Sequence, residues 1–283
     1  MEARAHLEPM LTFYESQHHQ PLVLLSGSDA GASALAYDAC CLWCLGYPEQ
    51  ALSKSQEAMA LARALDHPFT LAEIVFFAGC LFHAMHRDAQ AIKDDAEELE
   101  RLAAATAMAT WLGLAVRFRG QALAMQGKLH EGMAQMREGM AINQAVDVGF
   151  WFPGTLGALA EAQAKAGNPE EGLATLAEAL DLVEQTGERC WESELHRLRG
   201  ELLLIQGNKA EAAASFHRAI EVARRQQARS WELRATTSLS RLWQKRGRVG
   251  EAREMLAEIY GWFTEGFDTR DLQEAKVLLD ELS

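Results

Sequence analysis

The sequence predicts an all-α fold: a right-handed solenoid of six helical hairpins, each of about forty residues, closed by a C-terminal helix. Three observations predict it. Trp111, Trp151, Trp191 and Trp231 stand forty residues apart, although the 283-residue chain has only seven tryptophans. Gly127, Gly167, Gly207 and Gly247 keep the same step, which extends back through His86 to Gly46 with one single-residue slip. Small residues recur at two fixed places in every unit.

The fifth unit, Cys190 to Ala228, shows what a repeat contains. Leu195, Leu198, Leu202 and Ile205 fall at steps of three and four, one apolar stripe of a helix. Gly207 and Asn208 then end that helix, because both tolerate the left-handed backbone of a helix C-terminus. A second helix follows, with Ala212, Phe216, Ala219, Ile220 and Ala223 on its buried face.

Closely crossing helices need small side chains where they touch. Eight residues into each unit stand Ala39, Gly79, Gly120, Ala160, Gly200 and Ser240; twelve residues later stand Ala51, Ala91, Gly132, Gly172, Ala212 and Ala252. Glycine inside a helix costs roughly 1 kcal/mol against alanine, so close approach must offset that cost. This spacing resembles the tetratricopeptide repeat, with a unit longer than the usual ~34 residues and without its closing proline.

The resemblance implies a stack whose first helices line a concave face. Residues 32–265 are expected to be the repeats, 1–31 an incomplete unit, and 266–283 a capping helix, all in a single repeat domain spanning 1–283. Asp268 or Thr269 is suited to cap that last helix, and Leu272, Ala275, Leu278 and Leu279 to close the core.

No Pro-, Gly- or Ser-rich linker interrupts the period. The longest apolar stretch, Leu71 to Met85, contains Glu73 and His83 and is too short to span a bilayer, and the N-terminus has no apolar secretion segment, so a cytoplasmic location is expected. The five cysteines are an odd number, four of them near one end. Cys41 and Cys44 form a C-x-x-C without a second ligand pair, so they read as small helix side chains, with no metal expected.

The net charge of −13 is unevenly placed, with +7 between His217 and Arg253 and −20 elsewhere. A basic stretch of this kind suits nucleic acid or an acidic domain, but it lacks a recognition helix and stacking aromatics, so nucleic acid is not the expected partner.

Catalytic chemistry finds no support. Gly27-Ser28-Asp29-Ala30-Gly31 lacks the lysine of a phosphate loop and reads as a turn. Glu194 and His196 are two apart on a helix, about 200° around it, and are not a ready acid–base pair. His18 and His19 read as exposed residues of a polar connection. The chain is expected to be no enzyme and to need no cofactor.

What remains is a binding face. Six residues into each unit come Tyr37, Phe77, Phe118, Ala158, Leu198 and Ser238, and the aromatic half would make an apolar floor or an inter-repeat core. One position earlier or three later come Arg117, Gln121, Glu161, Arg197, Glu201 and Arg241, a more polar continuation. The candidate groove is therefore Tyr37, Phe77, Phe118, Arg117, Gln121, Glu161, Arg197, Glu201 and Arg241, holding a protein segment or a small effector.

Four runs carry a further resemblance: Leu45-Gly46-Tyr47-Pro48, His67-Pro68-Phe69, Glu194-Leu195-His196-Arg197-Leu198-Arg199-Gly200-Glu201-Leu202-Leu203-Leu204, and Tyr260-Gly261-Trp262-Phe263-Thr264-Glu265-Gly266-Phe267-Asp268-Thr269. They resemble the C-terminal repeat region of bacterial signalling proteins that join a class III adenylate or guanylate cyclase, or a winged-helix regulator, to a STAND-type ATPase. The resemblance implies a non-catalytic sensor whose upstream partner is an ATPase or cyclase domain. A self-associating scaffold, or a regulatory fragment of such a parent, is the alternative.

Overall fold

The computed structural model describes residues 2–13, 23, 27–149 and 151–283. The expectations for His18 and His19 lie outside the described residues. Contacts divide the chain into two compact units, Met1–Trp43 with Pro48–Gly149, and Phe150–Ser283 with the turn Cys44–Tyr47.

The first unit contains α1 (Glu2–Phe13) and three hairpins: α2 (Ala30–Leu45) with α3 (Pro48–Ala64), α4 (Pro68–His86) with α5 (Ala89–Thr106), and α6 (Ala109–Met125) with α7 (Leu129–Ala145). The second unit contains α8 (Phe152–Lys165) with α9 (Pro169–Thr186), α10 (Glu192–Ile205) with α11 (Lys209–Gln226), α12 (Arg229–Gln244) with α13 (Val249–Tyr260), and the closing helix α14 (Arg270–Glu281). The all-α hairpin-repeat reading is borne out.

Gly27 and Ser28 form a bend and Asp29 Oδ1 accepts from the Ala32 amide 2.8 Å away, so the glycine-containing segment opens α2 as an N-cap. The repeated glycines sit at the hairpin turns in the left-handed region, Gly127 at φ 88° and Gly207 at φ 83°. A side chain there would press on the following carbonyl, which glycine avoids.

The close approaches are real. A Cβ on Gly120 would lie 2.7 Å from the Gly132 carbonyl oxygen and 2.7 Å from the Met136 nitrogen, and one on Gly172 would lie 2.8 Å from the Ala160 oxygen. Ser240 Oγ donates to the Ala252 carbonyl at 3.2 Å, closing the same contact by a hydrogen bond.

The second hairpin departs from the expected register. Its first helix, α4, is π-helical over Val75–Leu81, which lodges an extra residue between Gly79 and the turn. The left-handed turn residue is accordingly Arg87, at φ 62°, and not His86. The second-helix contact place then falls on Ile92, which is fully buried, while Ala91 is half-buried. The one-residue slip in the sequence ladder is this π-turn, and Ala91 leaves the set of small contact residues.

Ile205 also differs from expectation. Leu195, Leu198 and Leu202 are buried, but Ile205 is 61% exposed, because it ends α10 at the turn, where no further hairpin surface covers it. Leu272, Ala275 and Leu278 of α14 are buried against Leu256 and Ile259 of α13, with Leu279 partly buried beside them, and Thr269 is the N-cap residue.

Contrary to the expectation that the apolar stretch is too short, its helix Pro68–His86 is long and apolar enough to cross a bilayer by length and composition, yet 72% of its apolar window is buried inside the fold. Core packing accounts for its apolarity. None of the five cysteines, all among the described residues, is in a disulfide.

Candidate ligand-binding face

In each unit, successive first helices pack side by side: α8, α10, α12 and α14 contact in sequence in the second unit. Side chains at a given place of the repeat therefore meet their equivalents in the next repeat. The face they form differs between the two units.

In the second unit it is a ladder of ion pairs. Arg197 on α10 grips Glu194, one turn earlier, through two bonds of 2.8 Å, and reaches Glu201 at 3.2 Å. Ser238 on α12 donates to Glu201 Oε1 at 2.6 Å. Arg234 on α12 reaches back to Glu194 at 3.5 Å and forward to Asp271 on α14, its Nε donating at 3.1 Å. Its guanidinium also lies 4.8 Å over the Trp231 ring. Arg241 ends the ladder 3.6 Å from Glu274.

The centre of the ladder is largely withdrawn from water, Arg234 being 7% exposed and the Glu194 side chain 11%, whereas Glu201 and Arg241 are partly open at 36% and 44%. Burial works against the Arg197 charge, but the carboxylates of Glu194 and Glu201 outweigh it and hold its pKa above the ordinary arginine range. His196, on the same helix, is pushed down to about 4 by burial and by Arg218.

The candidate residues of the sequence divide accordingly. Arg197, Glu201 and Arg241 belong to the ladder; Glu161 pairs along α8 with Lys165 at 2.9 Å. In the first unit Tyr37 is 38% exposed, with its ring 4.5 Å from that of Phe77.

Phe77 and Phe118 are only 6% and 5% exposed, and both pack on the Phe76 ring, so they are inter-helix core and not an open floor. Arg117 is 1% exposed and donates to Asn143 Oδ1 at 3.1 Å. It holds α6 to α7 within one hairpin and is no groove residue. Gln121 is half-buried on α6.

Glu194, Arg234, Asp271 and Glu274 were absent from the candidate set. The signal was available for two of them: one turn before the aromatic place, the register reads Ser33, Glu73, Leu114, Gly154, Glu194 and Arg234. Asp271 and Glu274 stand on the closing helix, outside the forty-residue period.

The basic stretch is answered within the second unit. Arg224 and Arg229 converge on the buried Glu232 at 2.6 and 2.7 Å, and Arg225 meets the buried Glu192 at 3.2 Å. Arg234 and Arg241 pair with α14, so much of the excess charge is internal structure. Among the described residues no group of three or more metal-ligating side chains comes together.

Two stretches, 153–178 and 233–258, match the tetratricopeptide repeat family model, and each begins in the first helix of a hairpin and ends in the second. The chain folds as tetratricopeptide-like repeats. No curated protein matches it.

Among solved structures, a STAND protein with a tetratricopeptide repeat sensor from Pyrococcus horikoshii is similar over 94% of this chain at 12% identity, TM-score 0.50. This chain spans 44% of that protein. PlcR of Bacillus thuringiensis, in complex with the peptide PapR7 and DNA, is similar over 89% of this chain and 98% of its own, at 12% identity and TM-score 0.52. At these identities the likeness is one of fold.

Proposed function

We propose that this chain is a non-catalytic, cytoplasmic sensor module of a bacterial signalling protein, which binds a peptide segment or small effector along its first-helix faces and thereby biases an ATPase or cyclase partner between states. The observation that carries this reading is the ladder of α10, α12 and α14. Charged side chains withdrawn from water are costly unless paired, and stability alone is served as well by apolar packing. A row of alternating guanidinium and carboxylate groups offers oriented donors and acceptors to a polar ligand.

Support of a coarser kind comes from the fold. Tetratricopeptide repeats are interaction modules as a class, one similar structure is described as a sensor and another holds a peptide. A ligand shifts the partner only if it binds one state of the module more tightly than the other.

The test is to select peptides from a random library on the purified chain and to measure their affinity for wild type and for Arg197→Ala. The reading expects at least about a tenfold loss in the variant and hydrogen-exchange protection of α10 and α12. Peptides that bind both proteins equally and protect other helices would overturn it.

A further inference from the structure

The repeat supplies its own control for one buried carboxylate in the first unit. Glu73 on α4 and Glu194 on α10 occupy the same place in their repeats, one turn before the Phe77 and Leu198 positions. Glu194 is met by two guanidiniums: Arg197, three residues later, and Arg234, its equivalent in the next repeat. At the two corresponding places around Glu73 stand Phe76 and Leu114, both fully buried and apolar.

Glu73 is nevertheless just as withdrawn from water, at 9% exposed. The hydroxyls of Ser28 and Ser33 lie close enough to favour its charged form and Asp29 disfavours it, but its Oε2 has no hydrogen-bond partner among the described residues. A buried carboxylate oxygen left unsatisfied is costly, and buried carboxylates are ordinarily paired. Among the described residues, no guanidinium stands at either of the two places in the first unit that hold one around Glu194.

An aromatic pair stands one turn further along both helices. Tyr37 on α2, four residues after Ser33, lies against Phe77, four residues after Glu73, and Tyr37 is the exposed member of that pair. Aromatic faces beside a carboxylate attract an ammonium or guanidinium group by the ring quadrupole as well as by charge.

We propose that Glu73 anchors a site for an organic cation, a guanidinium or ammonium group that enters the first-helix face between α2 and α4 and meets the carboxylate from the α2 side, Leu114 filling the place on α6 that corresponds to Arg234. Tyr37, backed by the buried Phe77 ring, forms its aromatic side, and the exposed Tyr37 is the side chain that moves to admit it. The proposal rests on the reading of first-helix faces as binding faces, but on different residues from the ladder. Loss of binding in Arg197→Ala and loss in Glu73→Gln are therefore separable.

The experiment uses the full chain and N-acetyl-arginine amide, N-acetyl-lysine amide and the uncharged isostere N-acetyl-citrulline amide, followed by NMR with isotope-labelled glutamate and aromatic side chains. Saturable shifts are expected at Glu73 and Tyr37 with the arginine or lysine probe. Affinity should fall at least about tenfold for citrulline and for Glu73→Gln, and remain unchanged in Arg197→Ala.

Gln retains the shape and an acceptor for the serines, so the variant folds, which circular dichroism checks. A capped tripeptide with central arginine distinguishes the sources: binding about tenfold tighter than the single residue assigns a basic peptide segment, and equal binding a small organic cation. Equal binding of citrulline, an unaffected Glu73→Gln, or no saturable shift at Glu73 with any cationic probe would overturn the proposal.

Discussion

Arg234 and Glu194 occupy the same place in consecutive repeats, and their side chains meet across α10 and α12, Arg234 Nη1 3.5 Å from Glu194 Oε1. The pair converts sequence period into a tertiary contact, and Arg234 extends it to α14 through Asp271.

Replacing Arg234 by methionine should therefore destabilise the second unit by about 3 kcal/mol, because two largely buried carboxylates lose a shared cation. Urea unfolding gives the difference. Adding Glu194→Gln and Asp271→Asn should recover a substantial part of it, since the orphaned charges are then gone; no recovery would mean that the loss comes from packing on Trp231.

Gly120 and Gly250 should respond to alanine with opposite signs. At Gly120 the new methyl meets the backbone of α7, which cannot yield as a side-chain tip can, and a loss of about 2 kcal/mol is expected. At Gly250, exposed in the first turn of α13 with nothing within 4 Å, alanine should be neutral or stabilising by up to about 1 kcal/mol. Thermal unfolding of the two variants checks the pair.

Glu73 should give the wild type an inverse pH dependence. Burial raises its pKa, opposed by the Ser28 and Ser33 hydroxyls and assisted by Asp29. The native state then holds a proton that the unfolded state has released, so stability falls as pH rises from the ordinary carboxylate range through the folded-state pKa. Glu73→Gln should remove that slope and be more stable than wild type at neutral pH. Urea midpoints across acid to neutral pH measure it; a variant that tracks wild type at every pH would show Glu73 to be ionised at no cost.

His196 should act in the opposite sense. With its pKa pushed down to about 4, the unfolded state binds a proton that the native state does not between that value and the ordinary 6.5. Stability contributed by the neutral ring is present above that range and is lost as pH falls through it. An imidazole titration by NMR should show His196 neutral at pH 6, and His196→Gln should flatten the acid limb.

Periodicity alone made the hairpins legible. The tryptophan and glycine ladders, the paired small residues and the closing helix are local consequences of helix spacing and turn chemistry, so they can be read without knowing what lies opposite. The candidate face was legible only in part. Arg197, Glu201 and Arg241 were found because they share the repeat period, but a period does not say whether a side chain points at water or at its own hairpin. Tertiary packing decided that Arg117 turns inward to Asn143 while Arg197, at the equivalent place, joins the ladder, and that Phe77 and Phe118 are core while Tyr37 is exposed. It also decided the slip: the π-turn of α4 shifts the contact from Ala91 to Ile92, because one extra residue in a helix moves the turn and the register after it. The physical reason is common to all these cases. Helix formation depends on neighbours three and four residues away, whereas burial and pairing also depend on groups 26 to 40 residues distant, as in Arg117 with Asn143 and Arg234 with Glu194, whose approach only the packed hairpins fix.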